Sequence, residues 1–137
     1  MNKVICYPRC CTPKYYSDDD YYFEMFTVPE QKINNVGHVG VQLFKELRKS
    51  KIAPTVEALD FTIIAMAVVA ADKAVLRKKS ADGWTRKIEL CIYLHDAPKW
   101  RQEKRKLEEM LRFLSGDFWV LNINALPESL VPQKKYD

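Results

Sequence analysis

Sulfur and carboxylate side chains carry most of the chemical potential of this chain. Cys6, Cys10 and Cys11 cluster near its start, and Cys91 lies far downstream. Thiolates so close together can bind a soft metal, but zinc sites prefer paired two-residue spacings and need four ligands. His38 and His95 are single and far apart, so no second Cys/His pair completes a set. No secretory signal precedes Pro8, so the four cysteines read as reduced thiols of a cytoplasmic protein. The run Asp18-Asp19-Asp20, between Tyr15-Tyr16 and Tyr21-Tyr22, offers oxygens to a hard cation. It lacks the glycine and distal glutamate of a calcium loop, and reads as a solvated loop whose tyrosines suit a protein contact. No metal and no cofactor is expected.

A third group is more specific. Trp84 and Arg86 lead into a strand, Trp100 opens a helix, and Asp117 and Trp119 lie at the turn into the last strand. If those strands are neighbours, tryptophans, an arginine and acids gather near one end of a sheet. They form either a packed cluster with a structural ion pair or a recognition surface. Asp60 and Asp72 lie on a helix that is apolar nearly all round, where a charge needs a partner or an opening to water. Lys73, Arg77 and Arg86 are candidate partners for Asp72. None of this supplies a nucleophile with its base or a phosphate loop, so a self-sufficient enzyme is not expected. The basic run 101–112 has the look of a nucleic-acid patch, yet Arg105 and Glu109, and Glu108 and Arg112, are spaced to pair along a helix.

The elements that must position these residues follow from periodicity and punctuation. Strands are predicted at 3–7, 21–28, 86–94 and 118–123, the third with Ile88, Leu90, Ile92 and Leu94 on one face and Cys91 and Tyr93 on the other. Helices are predicted at 36–49, from Pro54 or Thr55 to 79, and from the Asp96 cap and Pro98 to Gly116. Asp82-Gly83 supplies the bend before the third strand. These elements predict a two-layer α+β domain over 1–126. Its small, mostly antiparallel sheet has about four strands and is covered by about three helices. A polar tail occupies 127–137.

Composition sets the class. With 137 residues, 47% hydrophobic and 29% charged, the chain can bury a core. Its net charge of +4 is modest for a nucleic-acid binder. The longest apolar stretch, 61–71, is about half the ~20 residues of a membrane span, so no membrane partner is expected.

From Ala58 to Asn122 the pattern resembles a known family. The sequence Ala58-Leu59-Asp60-Phe61 is followed by Ala70-Ala71-Asp72-Lys73, Arg77 and Asp82-Gly83-Trp84-Thr85-Arg86. Asp96-Ala97-Pro98-Lys99-Trp100 and Leu111-Arg112-Phe113-Leu114-Ser115-Gly116-Asp117-Phe118-Trp119 complete it. This is similar to the N-terminal region of QueC-like proteins of the QatC type, found in bacterial antiphage defence islands and related to 7-cyano-7-deazaguanine synthase. There the region precedes an ATP-using PP-loop domain whose Ser-Gly-Gly-x-Asp-Ser loop binds phosphate. That loop is absent here: Ser115-Gly116 continues as Asp117-Phe118. The resemblance therefore implies an accessory module with Asp60, Asp72, Arg77, Trp84, Arg86, Trp100, Asp117 and Trp119 as signature positions. It implies a protein partner, a QueC-like PP-loop ATPase or another defence component. Three arrangements stay open: a separate subunit, a piece of a longer protein, or a reused domain. Nucleic-acid binding through 101–112 is the alternative function.

Overall fold

The computed structural model describes residues 1–29 and 35–130. Alternating apolar residues and the prolines that end them define the strands: β1 (Asn2–Pro8), β2 (Tyr21–Met25), β3 (Val36–Val39), β4 (Lys87–Leu94) and β5 (Phe118–Ala125). They form one sheet in the order β3-β2-β1-β4-β5, and every neighbouring pair is parallel. The helices are α1 (Leu43–Lys49), α2 (Val56–Ala74) and α3 (Ala97–Ser115). Single 3₁₀ turns lie at Arg9–Cys11 and Arg77–Lys79.

The expectation of a mostly antiparallel sheet of about four strands is thus overturned: the fold is α/β, with five parallel strands and three helices among the described residues. The reason lies in coverage. Strands of parallel sheets are usually buried on both faces and read as unbroken apolar runs, whereas alternation signals a one-faced antiparallel sheet. Here the strands alternate although they are parallel, because helices cover one face alone. The core joins Val4, Cys6, Leu90, Ile92, Leu121 and Ile123 to Ile63, Ala67 and Ala71 of α2 and Leu107 and Leu111 of α3, with Leu43 and Phe44 of α1 against it. Both helical crossovers, β3 to β4 and β4 to β5, step the same way across the sheet. Right-handed crossovers then place their helices on the same side.

The first strand gains one residue at each end and the last runs on to Ala125, two past Ile123, while three boundaries differ more. Residues 36–39 pair with β2 instead of opening a helix, and Gly37 is what permits it: a Cβ there would lie 2.6 Å from the Phe23 ring. The long helix stops at Ala74, five residues early, where Val75 turns extended. The second strand ends at Met25 rather than Val28. The Asp96 cap is as read, a carboxylate oxygen accepting from the Lys99 N–H at 3.3 Å; of the two candidate starts of the long helix, Thr55 is the cap, its Oγ1 accepting from the Ala58 N–H at 3.1 Å. Of the expected polar tail, 131–137 lies outside the described residues, while Leu130 packs against the core.

On the other face, the loop after β1 covers β1 and β2. The Tyr16 and Tyr7 hydroxyls are 3.1 Å apart, and the Tyr16 ring meets Tyr22 edge-on at 4.8 Å. Over β5 that face is open, with Phe118, Val120 and Asn122 exposed. The outer edge of β5 is protected: Glu108 accepts the Leu121 N–H at 2.7 Å, and Arg101 donates to the Ile123 carbonyl at 3.0 Å. No helix among the described residues is long and apolar enough to cross a membrane.

Two glycines in left-handed conformation separate crowding from backbone strain. Gly116 (φ 76°) closes α3, and a Cβ there would meet nothing within 4 Å. At Gly40 (φ 69°) a Cβ would sit 2.9 Å from Phe26 and 3.0 Å from Met66. Gly116→Ala is expected to lose about 1–2 kcal/mol, the left-handed cost for an L-residue. Gly40→Ala should lose more, and urea denaturation of the two variants checks that order.

Candidate functional site

The signature positions separate into two clusters at opposite ends of the sheet. At the amino ends of β4 and β5, Asp117 is fully buried between two guanidiniums. Its Oδ1 accepts from the Arg86 N–H at 2.9 Å and from Arg77 at 2.9 Å. Its Oδ2 accepts from Arg86 at 3.1 and 2.7 Å and from Arg77 at 3.1 Å. Arg86 also donates to Asp72 Oδ1 at 2.7 Å and to the carbonyls of Asp72 and Val75 at 2.9 and 2.8 Å. Every N–H of that guanidinium is therefore used. Of the candidate partners for Asp72, Arg86 is the one that binds it.

Local sequence builds this junction. Asp117 follows the Gly116 that ends α3, and Arg86 follows the Asp82-Gly83 bend. The backbone N–H groups of Trp84 and Thr85 hold the exposed Asp82 carboxyl down at about 2. Arg77 comes from the 3₁₀ turn after α2 and also donates to the Trp84 and Ser115 carbonyls, at 3.0 and 3.2 Å. Its guanidinium lies 5.3 Å from the centre of the exposed Trp84 ring. Trp119 is buried and donates to Ser115 Oγ at 2.9 Å.

Burial alone would push the Asp117 carboxyl up, but the hydrogen bonds and charge of Arg86, with the charge of Arg77, outweigh it and hold it below the ordinary aspartate range. Burial likewise works to lower Arg86, and Asp117 and Asp72 more than offset it. Saturated, dry and at the amino ends of parallel strands, Arg86 and Asp117 have no free valence for a substrate. Open α/β sheets bind ligands at the carboxyl ends.

Asp60 and Trp100 belong to that carboxyl end. Asp60, fully buried on α2, accepts from the His95 N–H at 2.8 Å, His95 Nδ1 at 2.7 Å and the Asp96 N–H at 2.9 Å. His95 Nε2 accepts the Leu130 N–H at 2.9 Å. An Asp–His pair can orient a general base. Here the nitrogen that would take a proton is occupied by backbone, so the unit fastens α2, the end of β4 and the segment 126–130. Trp100 is buried with Phe61 beside it, the ring centres 6.4 Å apart, and does not meet the other tryptophans.

The remaining candidates stay apart. Cys6 is in the core, and burial, reinforced by Cys91, pushes its thiol up to about 12. Burial and then Cys10 do the same for Cys11, at about 12. Among the described residues no three His, Cys, Asp or Glu side chains gather as a metal site. Asp18 and Asp20 line an open cleft with Tyr16 and Tyr22. On α3, Arg105 pairs with Glu109 and Lys106 with Glu103, at 3.4 and 3.6 Å. Sequence reasoning missed His95 as the partner of Asp60, the Ser115 bridge, and the Arg9–Glu24 ion pair of 3.1 Å. The signal for the first was present: a buried helical acid demands a partner, and His95 opens the turn that caps α3.

No protein-family model matches the chain, and comparisons with curated proteins and with solved structures return no match.

Truncating Arg86 leaves Asp117 buried without two of its five hydrogen bonds and with one of its two guanidiniums gone. Arg86→Ala is expected to cost about 3–5 kcal/mol in urea denaturation, as for other broken buried pairs. Arg77→Ala should cost less, because its side chain is 31% exposed. Asp117 is held ionised in the fold, so its contribution is full above the ordinary aspartate pKa of about 3.9 and is lost as pH falls below it. Stability of the native chain should therefore fall steeply on acidification, and Asp117→Asn should lack that component.

Proposed function

We propose that this chain is a non-catalytic module that docks a protein partner through the uncovered face of its sheet, over β5 and the start of β4 at Lys87. The supporting observation is the one-sided coverage itself. All-parallel sheets occur almost only with both faces covered, and here no described element covers β5 on the second side. The exposed Phe118 and Val120 sit there beside Lys87 and Asn122, the apolar–polar mixture of a non-obligate interface. Beside its amino-end rim stand Trp84, 69% exposed, and Phe113, 88% exposed, residue types that act as anchors at interfaces. Strand addition at β5 is opposed by Glu108 and Arg101, which already occupy edge groups.

The resemblance to QueC-like proteins of antiphage systems supplies the first partner to test, a PP-loop ATPase carrying the Ser-Gly-Gly-x-Asp-Ser loop that this chain lacks. The alternative, nucleic-acid binding through 101–112, is disfavoured because Glu103 and Glu109 pair with its cations and Arg101 is bonded to β5.

Co-expression with such an ATPase from the same genomic neighbourhood, followed by light scattering on the purified material, should give a stoichiometric complex. Val120→Arg changes an exposed side chain, so it should leave folding within about 0.5 kcal/mol of the parent while abolishing the complex. Phe118→Asp should abolish it as well, with the added loss of the Arg112 guanidinium that lies 3.7 Å from the Phe118 ring centre. A complex that survives both would remove the face from consideration. Salt-sensitive nucleic-acid capture without a protein partner would favour the alternative.

A further inference from the structure

The outer side of α2 carries an apolar stripe that the described elements leave largely open, α3 touching it through Trp100 beside Phe61. Phe61 is 54% exposed and Val69 53%, with the exposed Ala65 midway between them. The stripe is symmetric about Ala65. Phe61 and Val69 lie four residues to either side, Ala58 and Asp72 seven, and Glu57 and Lys73 eight. Beside its carboxyl half runs a groove of about 550 Å³, lined by Phe23, Val39, Met66, Val69 and Lys73 among others.

We infer that α2 is a self-association surface, on which a second copy of this chain packs its own α2 antiparallel about a two-fold axis at Ala65. A second copy of the stripe complements the first in charge and shape. An isologous contact brings residue i against j and j against i. In the antiparallel register Phe61 of each copy meets Val69 of the other and enters the groove beside it. Ala65 at the crossing lets the helices approach closely, since interaxial distance follows the side chains at the contact. Glu57 of each copy faces Lys73 of the other. In the single chain Glu57 is held by Lys99 at 2.8 Å, with both side chains substantially exposed, so the carboxylate still has room for a second cation. This surface lies on the helical side of the sheet, away from the docking face proposed above, and does not depend on it.

Sedimentation velocity of the full chain from about 1 to 500 µM, the range of weak to moderate affinities, tests the inference. The native chain should dimerise. Ala65→Arg, exposed and so harmless to folding, should weaken the dimer at least about 100-fold by placing bulk and like charge on the axis. Glu57→Lys alone and Lys73→Glu alone should each weaken it about tenfold, and mixing the two variants should restore native affinity as a heterodimer, because both pairs become opposite in sign. A chain that stays monomeric throughout, a dimer indifferent to Ala65→Arg, or a mixture no tighter than its components would each overturn the inference. So would a monomer whose Ala65→Arg variant loses the ATPase complex, since the stripe would then belong to that partner. Val120→Arg, which should abolish partner docking, is expected to leave the dimer unchanged, so failure of one proposal is distinguishable from failure of the other.

Discussion

A carboxylate with no access to water, Asp117, is the constraint around which the rest of the chain is arranged. An ionised aspartate is tolerated inside a protein only if its charge and lone pairs are fully met. Here Arg86 meets it from the residue before β4 and Arg77 from the turn after α2, while Asp117 itself immediately precedes β5. Three chain segments far apart in sequence are thereby fixed at one point. Arg86 continues to Asp72 and to the last carbonyls of α2, so the helix end, which would otherwise leave acceptors unpaired, is closed by the same guanidinium. The bond from Phe118 N–H to the Arg86 carbonyl then begins the β4–β5 ladder at this junction. The opposite end of α2 is fixed in the same manner by Asp60, through His95 and Asp96. The central helix is thus held near its start by its own buried Asp60 and at its end by Arg86, which bonds the partly exposed Asp72, and this accounts for two of its four charges.

With α2 fixed along the sheet and both helical crossovers stepping in one direction, all helices fall on one side. The unequal faces of the domain follow from that. The helical side holds the core, and beyond it the outward stripe of α2. The other side has a tyrosine-bearing loop over β1 and β2 and an open area over β5. Edge protection by Glu108 and Arg101 directs any contact toward faces rather than strand ends. The charged residues of α3, which in sequence suggest a nucleic-acid patch, are engaged largely in this protection and in pairs along the helix.

Much of the local structure is legible because it is set by neighbours in sequence. The Thr55 and Asp96 caps, the Gly116 stop and the Asp82-Gly83 bend all act within four residues. So is the requirement that Asp72 find a cation and that Arg86 and Asp117 meet if their strands are adjacent. Less is legible where a residue type points both ways. Val36, Gly37, His38 and Val39 carry no clear period, and only the Phe23 ring packed over Gly37 makes them a strand. His95 looks isolated in the sequence because its partner, Asp60, is 35 residues away. Trp100 groups with Trp84 and Trp119 by type, whereas its place at the start of α3 puts it at the other end of the sheet.

By itself, then, the sequence determined which segments are helix or strand apart from 36–39, where several of them stop, which face of each is apolar, and which buried charges need partners. These depend on interactions of a few residues' range. The tertiary structure alone decided strand direction, strand order and the side on which the helices lie. Those depend on crossovers of tens of residues, and an alternating strand is equally content beside a parallel or an antiparallel neighbour as long as one face is covered. The same alternation that suggests a hairpin-built sheet is produced here by parallel strands with helices on a single side.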